Sequence, residues 1–318
     1  MHVVIPDDYQ DAVRSLACFA KLAPHRVTIF NDSVSAAADL AGRFAEADAL
    51  ILIRERTCVT ADLLSRLPRL RLISQTGRGT SHIDVEECTR RGITVCAGTG
   101  SPWAPAELTW ALVLAASRGV AREADALHQG QWQTSLGRTV RGRTLGIWGY
   151  GKIGSLVASF GRAFGMDVLA WGREGSRTRS LADGCRFAAS REELFDSSDV
   201  LSLHARLTPE TRGIVTSDDL SRMKADALLV NTARAELIEP GALVRALRAG
   251  RPGFAALDVY DEEPLPDRNP LLKMKNVLCT PHLGYVERDS YELYFGQAFD
   301  QVLAFAAGEP INVVNPAR

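Results

Sequence analysis

Thr144-Leu145-Gly146-Ile147-Trp148-Gly149-Tyr150-Gly151-Lys152-Ile153-Gly154 is an apolar run that opens into three glycines spaced G-x-G-x-x-G. Thr144–Trp148 predicts a buried strand, and the periodicity of residues 156–164 predicts a helix directly after the glycines. A chain with 26 glycines produces this pattern by chance; the strand–loop–helix context is what gives it a mechanism. The first glycine permits the tight turn, the second a close approach of an anion to the backbone, and the third close packing of helix on strand. The helix N-terminus offers unpaired amides and the positive end of a dipole to a pyrophosphate. Gly149, Gly151, Lys152, Ile153 and Gly154 are therefore expected to bind a dinucleotide.

The alternation continues in both directions from this loop. Downstream, Asp167–Trp171 and residues 200–204, 227–231, 253–259 and 276–280 read as strands, with a helix at 240–249. Upstream, strands are expected at 2–6, 26–30, 49–53, 70–74 and 94–96, with helices at 8–20, 35–45 and 83–91. Short apolar runs alternating with helices imply parallel sheets covered on both faces. The fold expected is α/β, with two Rossmann-like doubly wound parallel-sheet domains separated by a cleft. Pro102-Trp103-Ala104-Pro105 suits a turn or the first positions of a helix. The long apolar helix from Ala106 to Arg118 is either internal or covered by a second subunit. Residues 137–142 read as a polar loop. The last helix, near 289–307, follows a completed second sheet and is expected to rejoin the first unit. That assigns 1–99 and 287–318 to a flavodoxin-like substrate domain and 100–286 to a dinucleotide-binding Rossmann domain.

Composition narrows the function. Thirty-seven Lys and Arg against 38 Asp and Glu give a net charge of −1, which lacks the electrostatic footprint of a nucleic-acid or membrane-surface binder. The chain is 46% hydrophobic and 24% charged, the balance of a globular protein with a core. Six cysteines without a CxxC pair argue against a zinc site or a redox dithiol, and no metal is expected. The N-terminus shows no secretory signal, and the apolar stretch 108–116 is too short to span a bilayer. The expected location is cytoplasmic.

Ligands of doubly wound sheets bind beyond the carboxyl ends of the strands. There the second unit delivers Thr232-Ala233-Arg234, Asp258 followed by Asp261-Glu262-Glu263-Pro264, and Pro281-His282-Leu283-Gly284. These residue types suit redox chemistry at a hydroxyl beside a carboxylate. A histidine exchanges the hydroxyl proton, a carboxylate orients the ring, and an arginine grips an acid through two parallel hydrogen bonds. Each also has an ordinary explanation: a structural histidine, a solvated acidic loop, a surface arginine.

With these residues in view, the sequence resembles the D-isomer-specific 2-hydroxyacid dehydrogenase family over nearly its whole length. The glycine loop, Leu228 to Arg234, Ala256 to Pro264, Thr280 to Gly284 and the ending Gly308-Glu309-Pro310-Ile311-Asn312 carry the resemblance in the family's order. It implies interconversion of a D-2-hydroxy acid and a 2-keto acid with NAD(P), with His282 as general acid/base, Glu263 as its partner and Arg234 as substrate clamp. It further implies that Asp258 holds the nicotinamide carboxamide and that His204, Ala205, Thr232, Ala233 and Gly284 border the cofactor. Thr76-Gly77-Arg78-Gly79-Thr80 is similar to the loop whose backbone holds the substrate carboxylate, which makes Arg78 and Gly79 substrate residues. The helix 106–118 falls where the family forms its dimer, and a homodimer is expected. Two positions depart from the family pattern: Arg78, usually small or apolar, and Ala235, usually glycine.

The dinucleotide itself is read at the end of the second strand of the unit, where an acid binds the ribose of NAD. Here Gly172 holds that place, followed by Arg173, Glu174, Arg177 and Arg179. The absent carboxylate and the guanidinium of Arg173 lean toward NADP, with Glu174 as the competing residue for NAD. The rival to an enzyme is a dinucleotide-sensing corepressor-like protein on the same fold.

Overall fold

The computed structural model describes residues 1–315. The chain divides into two compact units, Met1–Ser101 with the segment from Glu287 onward, and Pro102–Val286.

In the first unit, β1 (His2–Ile5), β2 (Arg26–Ile29), β3 (Ala49–Leu52), β4 (Leu72–Gln75) and β5 (Thr94–Ala97) form a parallel sheet in the order β2-β1-β3-β4-β5. Every residue of β3 and β4 is buried, as expected of strands covered on both faces; β3 is wholly apolar, while β4 also buries Ser74 and Gln75. Phe44, Leu50, Leu63, Ile73 and Val95 pack together in the core on one face. Strand order reverses between β1 and β3, which is where a sheet of this kind opens a crevice.

The long helix Arg288–Ala306 covers the same sheet. Ser74, inside β4, donates to Gln301 Oε1 at 2.7 Å and to the Ala298 carbonyl at 3.1 Å. Glu292 accepts the amides of Ala17 and Cys18 at 2.6 and 3.0 Å. The chain then turns back along the free edge of β5. The Ala97 amide donates to Asn312 O at 3.1 Å, the Val314 amide donates to Val95 O at 2.8 Å, and Asn315 Oδ1 accepts the Val95 amide at 2.7 Å.

The helix expected at 8–20 does not form. Two short 3₁₀ segments, Val13–Ser15 and Ala17–Leu22, take its place. Asp7 and Asp11 sit at positive φ (62° and 49°), and the Asp8 carboxylate takes the amides of Ala12 and Val13 at 3.1 and 3.0 Å. An aspartate side chain offering this alternative to the backbone outcompetes the first helical turn.

The second unit holds β6 (Thr144–Trp148), β7 (Asp167–Trp171), β8 (Arg186–Phe187), β9 (Val200–Leu203), β10 (Leu228–Asn231), β11 (Phe254–Leu257) and β12 (Val277–Cys279). All pair in parallel, in the order β12-β11-β10-β9-β6-β7-β8. The two-residue β8 was not anticipated, being too short to carry a pattern. Strand order reverses between β6 and β9, so the crevice of this sheet lies beside the glycine loop.

The helix Trp103–Arg118 starts three residues before the expected Ala106. Pro102 caps it and Pro105 lies in its first turn, where a missing amide breaks no hydrogen bond. Ala106, Trp110, Leu112 and Val113 are buried with Leu145, Val157, Val230 and Ala256, so its own unit covers much of its apolar surface. The polar helices Glu174–Ala182, Arg191–Ser197 and Ser217–Arg222 carry little apolar periodicity. The last two instead begin at cap residues: Ser190 accepts the Glu193 amide, and Thr216 forms a reciprocal box with Asp219. Among the described residues no helix is long and apolar enough to cross a membrane, and no cluster of potential metal ligands occurs.

Candidate active site

The three loop glycines have different physical reasons. Gly149 takes φ +99°, and a Cβ there would stand 2.7 Å from the Ala205 amide nitrogen. A Cβ on Gly154 would collide with the Gly149 carbonyl, so helix Lys152–Ala163 could not approach β6. Gly151 has an ordinary φ of −98°, and its Cβ would meet no protein atom within 4 Å. Neither backbone nor neighbour demands glycine at 151. What it preserves is open space at a helix N-terminus, and that fits the phosphates of a dinucleotide.

His204 follows β9 and flanks the loop. Its amide donates to Trp148 O at 2.7 Å, and its Nε2 lies 2.9 Å from Ser202 Oγ. Burial lowers its pKa to about 4, so the ring is neutral. At the end of β7, Gly172 approaches the Gly149 Cα, and no carboxylate stands there. Arg173 is exposed at the head of helix Glu174–Ala182, within Coulombic reach of Glu210, and Glu174 is exposed in the first turn. Arg177 lies over the Phe187 ring at 5.8 Å, while Arg179 is bound to the Tyr150 carbonyl.

Beyond β10, the Asn231 side chain latches the turn. Its Oδ1 accepts the Ala233 amide at 3.0 Å and its Nδ2 donates to the Arg234 carbonyl at 2.8 Å. Thr109 Oγ1 donates to Pro105 O, so the 2.7 Å contact with Thr232 has Thr232 as donor. Arg234 is half-buried with extended backbone, and its Nη1 donates to Ala233 O at 2.6 Å.

Beyond β12, His282 adopts φ 51°, a left-handed conformation uncommon for a residue with a Cβ. Asp258, fully buried at the end of β11, holds this loop: it accepts Thr280 Oγ1 at 2.6 Å and the amides of Leu283 and Gly284 at 2.7 and 2.9 Å. Burial raises the Asp258 carboxyl above the usual range despite these bonds. Asp258 and Gly284 thus both engage each other inside the protein.

His282 Nδ1 lies 2.6 Å from Glu263 Oε2, and Glu263 Oε1 accepts the Tyr260 amide at 2.9 Å. The His282 ring meets Tyr285 edge-on, with centroids 5.5 Å apart. Burial would raise the Glu263 carboxyl, but the His282 hydrogen bond and charge, the Tyr260 amide and the Arg234 charge together hold it below the usual carboxylate range. The structure therefore brings Arg234, Glu263 and His282 together, with Nδ1 of the imidazole committed to Glu263. Asn231, Tyr260 and Tyr285 were not singled out from the sequence. Asn231 carried a usable signal, a polar residue closing an apolar strand.

In the first unit, Thr76 Oγ1 donates to Leu52 O and accepts the Arg54 amide at 2.9 Å, which fixes the start of the loop Thr76 to Thr80. Gly77 takes φ +92°, and a Cβ there would run into the Arg54 guanidinium. A Cβ on Gly79 would stand 2.5 Å from Glu55 Oε1, while Arg78 is exposed. Arg54 also lies over the Tyr294 ring at 5.6 Å. His82 is neutral, its pKa lowered to about 4 chiefly by burial, with Glu55 opposing and Arg54 reinforcing that shift. Arg54 and Glu55 stand at the end of β3, so the strand-end rule applied to the second unit would have found them.

Residues 110–284 match the model of the D-isomer specific 2-hydroxyacid dehydrogenase, NAD binding domain. A glyoxylate reductase from Aeropyrum pernix is 42% identical over 285 residues, 85% of this chain and 83% of that protein. A D-3-phosphoglycerate dehydrogenase from Methanocaldococcus jannaschii is 36% identical over 87% of this chain, which spans about half (53%) of that relative. The crystal structure of a phosphoglycerate oxidoreductase from Vibrio cholerae superposes with a TM-score of 0.95 at 55% identity, covering 97% of this chain and 99% of that one. The chain belongs to the D-isomer-specific 2-hydroxyacid dehydrogenase family. It is accordingly an oxidoreductase of 2-hydroxy acids that uses a nicotinamide dinucleotide.

Proposed function

We propose that the protein reduces a small 2-keto acid to the D-2-hydroxy acid, and runs the reverse reaction, with His282 as general acid/base. The observation that carries this is the 2.6 Å contact between His282 Nδ1 and Glu263, at the same strand edge as the open space over Gly151. In reduction, His282 Nε2 gives its proton to the keto oxygen; in oxidation it takes the hydroxyl proton back. Glu263 orients the ring through Nδ1. Arg234 clamps the substrate carboxylate and carbonyl. Gly149, Gly151, Lys152, Ile153 and Gly154 bind the pyrophosphate, with His204, Ala205, Thr232 and Ala233 around the rest of the dinucleotide, while the buried Asp258 acts from behind by holding the Gly284 loop. When bound there, the nicotinamide would supply the hydride chemistry at the substrate carbon.

Glyoxylate and the keto acid of D-3-phosphoglycerate are the first substrates to test, given the relatives named above. NADP is the favoured dinucleotide, since Gly172 leaves the ribose position without a carboxylate and Arg173 stands next to it. Six free cysteines support a reducing, cytoplasmic setting. A homodimer built around the helix from Ala106 to Arg118 is supported by Leu136, 97% exposed in the segment whose Arg138 amide bonds to Ser117 at the end of that helix. A panel of 2-keto acids assayed with NADH and NADPH tests the reading. Multiple turnovers with a small keto acid are expected, and single-turnover oxidation across the whole panel would overturn it.

A further inference from the structure

Tyr150 occupies a variable position of the glycine motif, yet its side chain is fully buried and bonded in two directions. Its hydroxyl donates to Asp183 Oδ2 at 2.8 Å and lies 3.5 Å from Cys185 Sγ. Its carbonyl accepts two bonds from one guanidinium, Arg179 Nε at 3.1 Å and Nη2 at 2.9 Å. Arg179 is in the last turn of helix Glu174–Ala182 and Asp183 caps the end of that helix. One residue of the phosphate loop is therefore bound, at its carbonyl and at its phenol, to the end of a single helix. On the other side of the same peptide, the Gly151 amide donates to Gly149 O at 2.9 Å.

We propose that Arg179, with Tyr150 and Asp183, is a positioning residue for the dinucleotide: it locks the peptide between Tyr150 and Gly151 with its carbonyl held on the guanidinium. The inference rests on reading Gly149 to Gly154 as the cofactor loop. A peptide is a dipole, and a carbonyl swung toward an anion repels it; the site binds phosphates only while its amide ends and helix N-terminus dominate. Gly149 and Gly151, on either side of Tyr150, lack a Cβ and so leave the peptide a wide choice of orientation, which an external clamp narrows. A guanidinium reaching the carbonyl with two donors is suited to this, because it fixes the plane as well as the distance. Arg179 acts on the cofactor only through that peptide, which separates it from Arg173.

The test is the dissociation constant of NADH and of NADPH, read by nucleotide fluorescence without substrate, together with steady-state kinetics. Arg179→Met is expected to weaken both nucleotides alike, by about tenfold or more for loss of a charge-assisted hydrogen bond, with the effect in cofactor KM rather than kcat. Arg179→Lys, which retains charge and one donor, should recover part of the loss. Tyr150→Phe, which preserves packing, should weaken both nucleotides to a smaller extent. Unchanged affinity in Arg179→Met, or a fall in melting temperature alone, overturns the inference. So does a loss confined to NADPH, which would make Arg179 a direct contact of the 2′-phosphate. A wild-type protein that binds neither nucleotide instead overturns the cofactor-site reading beneath it.

Discussion

Glu263 grips His282 with one carboxylate oxygen and the Tyr260 amide with the other, at 2.6 and 2.9 Å. The second bond matters as much as the first, because it stops the carboxylate from turning away. The acid is thereby a fixed bracket for the imidazole. The His282 backbone, at φ 51°, is held from below by the three bonds to Asp258.

Replacing His282 by Asn should lower kcat by roughly 10²–10⁴-fold, the usual weight of a general acid/base, while nucleotide still binds. Stopped-flow or steady-state reduction of the best keto acid reads this directly. Near-wild-type turnover would remove His282 from the chemistry.

Glu263→Gln tests the bracket through pH. Gln keeps the size of the side chain but loses the charge that fixes the ring, so kcat should fall, and the acid limb set by the Glu263 carboxyl should disappear. On the acid side the wild-type pairing persists below the ordinary carboxylate range, because the Glu263 carboxyl is lowered, and it fades only as pH falls through that lowered value. An acid limb that persists unchanged in the variant would show that Glu263 does not act through the imidazole.

Arg173→Ala should raise the KM for NADPH while leaving that for NADH nearly unchanged, since the guanidinium is the donor offered to a 2′-phosphate. The comparison is kcat/KM with each nucleotide in both proteins. A wild-type preference for NADH would point to Glu174 instead.

Two histidines tie stability to pH. His82 and His204 have folded pKa values lowered to about 4 from 6.5, so between those values the unfolded chain binds more protons. Their contribution is complete above pH 6.5 and is lost as pH falls toward 4, with a slope of up to about 1.4 kcal/mol per pH unit for each group. His82→Gln should therefore flatten the dependence of melting temperature on pH in this window. Parallel curves for variant and wild type would show that His82 is not held neutral.

Light scattering at micromolar concentration should give the mass of two chains, and Leu136→Asp should shift it toward one. A monomeric wild type would show that the exposed Leu136 serves something else.

Much of this was visible before folding because parallel strands buried on both faces leave unbroken apolar runs. Thr144–Trp148 and Asp167–Trp171 coincide with their predicted bounds. His282, Glu263 and Arg234 were legible because the strand-end rule tells where to look. The parts that escaped depend on side chains bonding to backbone. The Asp8 carboxylate turns an apparent helix into 3₁₀ segments, and caps such as Ser190 and Thr216 start helices without an apolar stripe. Tyr150 was hidden for a different reason: nothing local to a G-x-G-x-x-G motif says that the first x reaches Asp183.

The tail along β5 and the helix Arg288–Ala306 impose an order on synthesis. The second unit is one continuous stretch and has all its strands once Val286 has been made. Strands β1 to β5 are made earlier but must wait: Ser74 lacks Gln301, and the edge of β5 lacks Asn312, Val314 and Asn315, until those later residues have been added. During that interval β5 presents an open edge, the kind of surface that pairs with other chains. The sheet made earlier is thus the one that closes later, and truncation within helix Arg288–Ala306 would leave a finished second unit beside an unsealed first sheet.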